Sequence, residues 1–181
     1  MAGFYPWYEV VSGQELEQGD IVSGCLKPEV PIVDATTDST EPLDQVTSCE
    51  VIVLSQTCDL ANDKARSVML CPVVDLELWL NEVTTKKSER AERIGQLEKG
   101  RLVAYQLLDL CNLPDCARGH MVVSFSDAFS VDLGYFKNLA GSALRLRLLP
   151  PYREHLAQAF ARYYMRVALP LLISPIPASR S

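Results

Sequence analysis

The chain of 181 residues suits a single domain that can bury most of its apolar surface. Hydrophobic residues make up 48% of the chain and charged residues 22%, as in ordinary globular proteins. The net charge of −6 counts against broad nucleic-acid binding, because domains that bind phosphate backbones usually show a basic excess or a basic stripe.

The N-terminal sequence shows no basic segment followed by an apolar run, so no signal peptide is expected. No apolar stretch approaches the roughly 18 residues that a membrane helix needs. We therefore expect a cytoplasmic protein that does not contact a membrane. In that compartment the cysteines are expected to be reduced thiols, at positions 25, 49, 58, 71, 111 and 116.

The first half of the chain reads as short strands separated by turns. Strands are predicted at 8–12, 20–26, 49–56 and 67–74. The last two are continuous apolar, β-branched runs, which is typical of strands buried on both faces. Residues 34–48 are polar and acidic, so we expect a flexible loop there.

The second half begins with a predicted helical insertion at 76–99, whose charged part ends at Gly100. Further strands are predicted at 101–108, 120–125, 129–133 and 144–149. In the last of these, Arg145 and Arg147 alternate with leucines, which indicates a strand with one exposed face.

A C-terminal helix is predicted over 151–169, with Pro151 in its first turn and Pro170 ending it. One apolar face of this helix should pack on the sheet, formed by Leu156, Phe160, Tyr163, Tyr164 and Val167. Residues 170–181 contain three prolines and are expected to be extended.

The strongest candidate site is Ser55-Gln56-Thr57-Cys58-Asp59, a polar and reactive segment directly after a buried strand. Side chains at a strand end are both positioned and accessible. A nucleophilic thiol at Cys58 needs a cation nearby, because the carboxylate of Asp59 disfavours the thiolate. The alternative is a buried cysteine that packs at a strand end, with Asp59 capping the next turn.

A second candidate is the basic stripe of His155, Arg162 and Arg166 on the C-terminal helix. Arginines arranged in this way can bind a phosphate or a carboxylate. They could equally pair with acidic side chains of the same fold, including Asp59, or be solvated.

A metal site is a weaker hypothesis. Cys111, Cys116 and His120 offer thiolate and imidazole ligands, but a fourth ligand is missing locally and structural zinc sites use tighter spacings. The sequence also lacks a Gly-rich phosphate loop and the common hydrolase and redox motifs. We therefore predict neither a metal nor a cofactor.

Three strands carry a resemblance to a known family. Gln18-Gly19-Asp20-Ile21-Val22, the run Val51 to Ser55, and the run Val68 to Val73 resemble strands of the MazF/PemK toxins. The resemblance covers residues 18–75. It implies an α+β protein with a small SH3-like β-barrel, to which the helical insertion and the C-terminal helix are added, and an association with toxin–antitoxin or defence loci.

That family cleaves RNA with an arginine before the middle strand and a Thr or Ser after the third. Here the first region is Thr47-Ser48-Cys49-Glu50, and the third strand ends in Val73-Val74-Asp75. Segments 55–60 and 151–170 also resemble a bacterial family of unassigned activity. This second resemblance favours a single site that contains Cys58, Asp59, His155, Arg162 and Arg166.

The leading hypothesis is a binding module in a bacterial toxin–antitoxin, stress or phage-defence locus. Its partner would be a protein, a second copy of the chain, or an anionic ligand, bound through Ser55, Gln56 and the Cys58–Asp59 loop together with Arg162 and Arg166. One alternative is a divergent endoribonuclease that uses Arg162, His155 and Asp59. Another is a Cys58–His155 hydrolase or transferase, in which His155 lowers the pKa of the thiol.

Overall fold

The computed structural model describes residues 5–28, 46–61 and 65–165. These residues form a mixed α+β structure, as predicted. Its strands are β1 Tyr8–Val11, β2 Asp20–Pro28, β3 Val46–Val53, β4 Ser67–Asp75, β5 Tyr105–Leu108, β6 Met121–Ser124, β7 Phe129–Asp132 and β8 Arg145–Leu148. Its helices are α1 Thr57–Ala61, α2 Leu76–Val83, α3 Lys87–Glu98, α4 Leu133–Ala140 and α5 Tyr152–Tyr164.

All strand pairs are antiparallel and belong to one sheet, in the order β1-β8-β2-β3-β4-β6-β5. Strand β4 pairs with β7 along its first half and with β6 along its second half. No ladder joins β1 to β5 in the part of the chain that the structure describes, so the sheet is not closed there. The Tyr8 hydroxyl donates to the carbonyl of Asp109, 2.6 Å away and just past β5.

The central strands are buried on both faces, as their continuous apolar sequences predict. Ile52 packs into the first core cluster with Leu146, Phe125 and Leu156. Its neighbours Val51 and Val53 point to the opposite face and pack into a second core cluster. The second cluster lies under α4, a helix that is not among the elements predicted from the sequence. The sheet therefore carries apolar layers on both sides, which explains why alternation is absent from β3.

Helices α2 and α3 lie within the segment predicted as a helical insertion. Trp79, Leu80 and Leu97 pack on Val122 of β6 and form a third, smaller cluster. Asp75 caps α2, because its Oδ1 accepts a hydrogen bond of 2.8 Å from the backbone N–H of Glu77.

Several boundaries differ from the predictions. Strand β3 ends at Val53 and not at residue 56, and β5 begins at Tyr105 and not at residue 101. Strand β3 begins at Val46, so the last three residues of the predicted loop 34–48 are in the sheet, while 34–45 lie outside the described residues. The segment after β3 forms the short helix α1 instead of a turn. Helix α5 is described to Tyr164, and the predicted positions 166–169 and the tail 170–181 lie outside the described residues.

The prediction that Arg145 lies on an exposed strand face is wrong. Arg145 is 3% exposed, because residues 13–20 cover this face of β8 and bring the carboxylate of Asp20 against it. Gly19 makes the approach possible. It has a φ of +89°, and a Cβ there would lie only 3.0 Å from Leu148 Cβ.

No helix among the described residues is long and apolar enough to span a bilayer.

Buried thiols predict a loss of stability at alkaline pH. Burial raises the pKa of Cys25 from 9.0 to about 11 and that of Cys71 from 9.0 to about 12. Above pH 9 the unfolded chain releases thiol protons that the folded protein retains. We therefore expect the free energy of unfolding to fall as the pH rises above about 9, toward 11 for Cys25 and toward 12 for Cys71, by up to about 1.4 kcal/mol per pH unit for each thiol.

Urea unfolding between pH 8 and 11 measures this slope. The double variant Cys25→Ala/Cys71→Ala should show a shallower decline above pH 9, because it removes the two buried thiols. An unchanged slope in the double variant would contradict this assignment.

Candidate functional site

The segment predicted as a site divides into anchoring and exposed side chains. Ser55 Oγ accepts a hydrogen bond from the backbone N–H of Met69 at 2.9 Å, and Thr57 Oγ1 accepts one from the N–H of Gln18 at 3.2 Å. Leu60 is buried in the second core cluster. These three residues attach α1 to the sheet.

Gln56, just before α1, is exposed, and so are Cys58 and Asp59 on α1. The Cys58 sulfur lies 3.7 Å from Gln56 Oε1 and 3.7 Å from Asp59 Oδ1. Both oxygens are hydrogen-bond acceptors, so neither contact places a cation beside the thiol, as activation of a cysteine nucleophile requires. These two contacts therefore do not activate Cys58 as a nucleophile.

The structure does not connect this segment with the basic stripe of α5. His155 and Arg162 are both exposed, and His155 makes an edge contact with the ring of Tyr152. Among the described residues, no hydrogen bond or ion pair joins Asp59 to His155 or Arg162. Arg166 lies outside the described residues.

A different arginine connects α5 with the rest of the fold. Arg153, in the first turn of α5, donates to Glu17 Oε2 at 2.8 Å. Glu17 Oε1 accepts from Arg147 at 2.6 Å. One carboxylate thus joins the C-terminal helix to β8.

A pocket of about 440 Å³ lies between α1 and the segment that precedes β2, and we call it the α1 pocket. Its volume is in the range of small-ligand and side-chain pockets. It is lined by Gln14, Glu15, Leu16, Glu17, Thr57, Leu60, Ala61 and Lys137. Three of these residues belong to α1, so the predicted segment contributes one wall of the pocket through its anchoring side and not through Cys58 or Asp59.

The opposite wall is fixed by buried ionic hydrogen bonds. Asp20 is fully buried and accepts from Arg145 Nε at 2.9 Å and from Arg147 Nε at 2.5 Å. The same guanidinium groups reach the wall itself. Arg145 donates to the carbonyls of Gly13 and Glu15, and Arg147 donates to the carbonyl of Glu15 at 3.1 Å.

These contacts raise the pKa of Arg147. Burial by itself would lower the pKa of Arg147, but the hydrogen bond and charge of Asp20, with Glu17, raise it overall. Charge-assisted hydrogen bonds of this kind hold a loop more tightly than neutral ones. The pocket wall at residues 13–17 is therefore preorganised by the fold.

The cysteines and histidine of the zinc hypothesis are not gathered into a metal site. The backbones of Cys111 and Arg118 form a bridge, and His120 Nε2 lies 3.2 Å from Asp109 Oδ1. Within residues 5–28, 46–61 and 65–165, no group of three His, Cys, Asp or Glu side chains could hold a metal ion.

Comparison with known proteins gives no family assignment: no family model matches the chain, and no curated protein matches it.

Sequence reasoning missed Glu15, Leu16, Glu17 and Lys137 as pocket residues. A signal was present, because three arginines at 145, 147 and 153 are complemented by the acidic stretch 15–20. Pairing these groups would have placed the stretch against β8. The same pairing would not have shown that α1 lies on the other side of the stretch 15–20.

Proposed function

We propose that this protein is a binding module that recognises a protein partner through the α1 pocket. The observation that carries the proposal is the pocket itself, a concave site with one wall from α1 and one wall held by Arg145, Arg147 and Asp20. Preorganised walls favour binding because little conformational entropy is lost when a ligand enters.

The side chains of the pocket favour a short segment with apolar and basic character. Leu16, Leu60 and Ala61 give the pocket an apolar part. Its charged lining residues are Glu15, Glu17 and Lys137. A basic side chain of the partner would pair with Glu15, whose carboxylate is exposed, whereas Glu17 is already bonded to arginines.

An anionic ligand is the less favoured occupant. The site predicted for an anionic ligand requires the arginines of α5. Arg162 is not among the residues that line the α1 pocket. No observation favours the Cys58–His155 hydrolase over the binding module.

We also propose that the sheet, which is not closed among the described residues, is an open variant of the SH3-like barrel of the MazF/PemK type. The antiparallel succession β8-β2-β3-β4 and the division of β4 between β6 and β7 support this assignment. The proposed setting is the bacterial cytoplasm, in a toxin–antitoxin, stress or phage-defence locus, and it rests on the same resemblance.

The proposal does not include ribonuclease activity. The third strand of the resemblance corresponds to β4. At its end, where the family has a Thr or Ser, this chain has Asp75, which caps α2. In the region of the family's arginine, Glu50 forms an ion pair with Arg118 and accepts from Ser23. Both groups are engaged in holding the fold.

Amide chemical shifts of the ¹⁵N-labelled protein test the proposal with two blocked tripeptides, Leu-Lys-Leu and Leu-Glu-Leu. We expect the basic peptide to shift amides of residues 14–17 and 57–61. The charge reversal Glu15→Lys should weaken its Kd about fivefold, because an exposed ion pair contributes up to about 1 kcal/mol.

Glu98→Lys, an exposed reversal on α3, is the matched control and should leave the Kd unchanged. Shifts confined to other surfaces, or equal weakening by both reversals, would reject the α1 pocket as the site. Preferential binding of the acidic peptide would instead support the hypothesis that the protein binds an anionic ligand. Cleavage of single-stranded RNA that is lost in Arg162→Ala would support the endoribonuclease.

A further inference from the structure

Two cysteines, Cys25 and Cys49, lie directly opposite each other on neighbouring strands. The antiparallel ladder of β2 with β3 pairs them. Both are on the same face of the sheet, because Cys25 belongs to the second core cluster and Cys49 packs against it. The Cα atoms of directly opposite residues are about 4.5–5.5 Å apart in such a ladder, which is within the roughly 4.4–6.8 Å that a disulfide spans.

A bulge in β2 produces this pairing. Val22 is opposite Val51, and the next pair in the ladder is Cys25 with Cys49. Strand β2 therefore holds one residue more than β3 between the two pairs, and Gly24 in this bulge has a left-handed φ of +79°. Without the extra residue, Gly24 would be opposite Cys49 and Cys25 would face the other side of the sheet.

The side chain of Cys49 is directed across the strand pair toward Cys25. Its Sγ lies 3.5 Å from the carbonyl oxygen of Cys25. Cys49 is half-buried, whereas Cys25 is fully buried, so a reagent in solution reaches Cys49 first. The ladders give no such partner to Cys71, which is opposite Ile52, or to Cys111, which is opposite Arg118.

The electrostatic surroundings also favour Cys49 as the first thiol to react. Burial raises the pKa of Cys49 above its ordinary value, but the charge of Lys27 lowers it in part. Burial and the neighbouring Cys49 raise the pKa of Cys25 to about 11. A nearby cation is what makes a thiol reactive, because the thiolate is the nucleophile.

We propose that Cys25 and Cys49 form a reversible disulfide when the protein meets small-molecule disulfides such as oxidised glutathione. In a reducing cytoplasm both cysteines stay thiols, and an oxidising shift ties β2 covalently to β3. The pair shares no residue with the α1 pocket, so this proposal and the proposed function stand or fall separately.

The reaction takes two exchange steps. The thiolate of Cys49 attacks one sulfur of oxidised glutathione, so that a mixed disulfide forms, the glutathione S–S bond breaks and one glutathione thiolate leaves. Cys25 then loses its proton and attacks the sulfur of Cys49, which releases the second glutathione thiolate. Two protein thiols are thereby oxidised, one glutathione disulfide is reduced, and the two cysteine protons end on the released glutathione.

Peptide mapping of the Cys58→Ser variant tests the proposal, because this change removes the exposed thiol that would compete for the reagent. The folded protein is incubated with oxidised glutathione, its remaining thiols are alkylated, and it is digested with a protease that cleaves after acidic residues. Cleavage after Glu29 and Glu50 places Cys25 and Cys49 in separate peptides. We expect mass spectrometry to find these two peptides joined, and dithiothreitol to separate them.

Further substitutions in the Cys58→Ser background test the order of the steps. Cys49→Ser should leave Cys25 unmodified, because Cys25 is fully buried. Cys25→Ala should leave Cys49 as a stable mixed disulfide with glutathione. Lys27→Met should slow formation of the disulfide several-fold, while the matched control Lys99→Met, at an exposed lysine on the surface, should not change the rate.

Three outcomes would overturn the proposal. The first is the absence of joined Cys25 and Cys49 peptides from the folded protein, and the second is their appearance only in denaturant. The third is an equal yield of disulfides that involve Cys71, Cys111 or Cys116, because the ladder then would not select the pair.

Discussion

Replacing Asp20 with asparagine is expected to lower the free energy of unfolding by about 3 kcal/mol or more. The carboxylate is fully buried and bonded to two guanidinium groups, and Arg145 is itself only 3% exposed. Asparagine preserves the volume but removes the charge, so the buried guanidinium of Arg145 loses its counterion. Losing one partner of a buried ion pair costs roughly 3–5 kcal/mol. Urea unfolding followed by circular dichroism measures the change.

The control is Asp115→Asn, an exposed carboxylate at a turn, for which a change within about 0.5 kcal/mol is expected. The double variant Asp20→Asn/Arg145→Met should lose less stability than the sum of the two single variants, by more than about 1 kcal/mol, because the charges are coupled. Strict additivity would show that Asp20 and Arg145 contribute independently, contrary to the contacts described.

Truncation of Phe136 to alanine should cost about 3–5 kcal/mol, the range for large aromatic side chains in a core. Phe136 is fully buried and lies in the second core cluster, where α4 covers Val22, Val51 and Leu70. Removing the ring leaves a cavity between this helix and the sheet. The measurement is guanidinium unfolding, with hydrogen exchange to locate the loss of protection in α4 and β4.

Leu144→Ala, at an exposed apolar residue just before β8, provides the comparison and should change stability by less than about 1 kcal/mol. A small effect of Phe136→Ala, or loss of protection that does not include α4, would mean that α4 does not contribute to the core in this way.

The strands were predictable because their signals are local. The β-branched apolar runs of β3 and β4 indicate burial on both faces wherever they pack, and the structure places them in the middle of the sheet. Helix α4 was missed although local signals exist: Asp132 caps it, and Leu133, Phe136 and Ala140 follow at helical spacing. Its eight residues span only about two turns, which is too short for a helical periodicity to stand out between two strands.

The candidate site was predicted only in part. The sequence drew attention to the segment after β3, and α1 does form one wall of a pocket. The side chains that line it are Thr57, Leu60 and Ala61, while Cys58 and Asp59 are exposed elsewhere on α1. Helical geometry caused the difference, because consecutive side chains of a helix point in different directions and a turn had been assumed.

The sequence by itself determined that the chain is an α+β protein, where most of its strands run, and that the residues after β3 are polar and close to a rigid strand. Tertiary structure alone decided which charges meet. Asp59 is one of several acidic groups that could pair with the arginines of the last helix from the sequence alone; among the described residues, Asp20 and Glu17 make the pairings with Arg145, Arg147 and Arg153. The physical reason is that an ion pair between residues more than 120 positions apart leaves no periodicity in the sequence. It depends on Gly19, whose left-handed φ brings Asp20 onto β8 and thereby fixes the wall of the pocket.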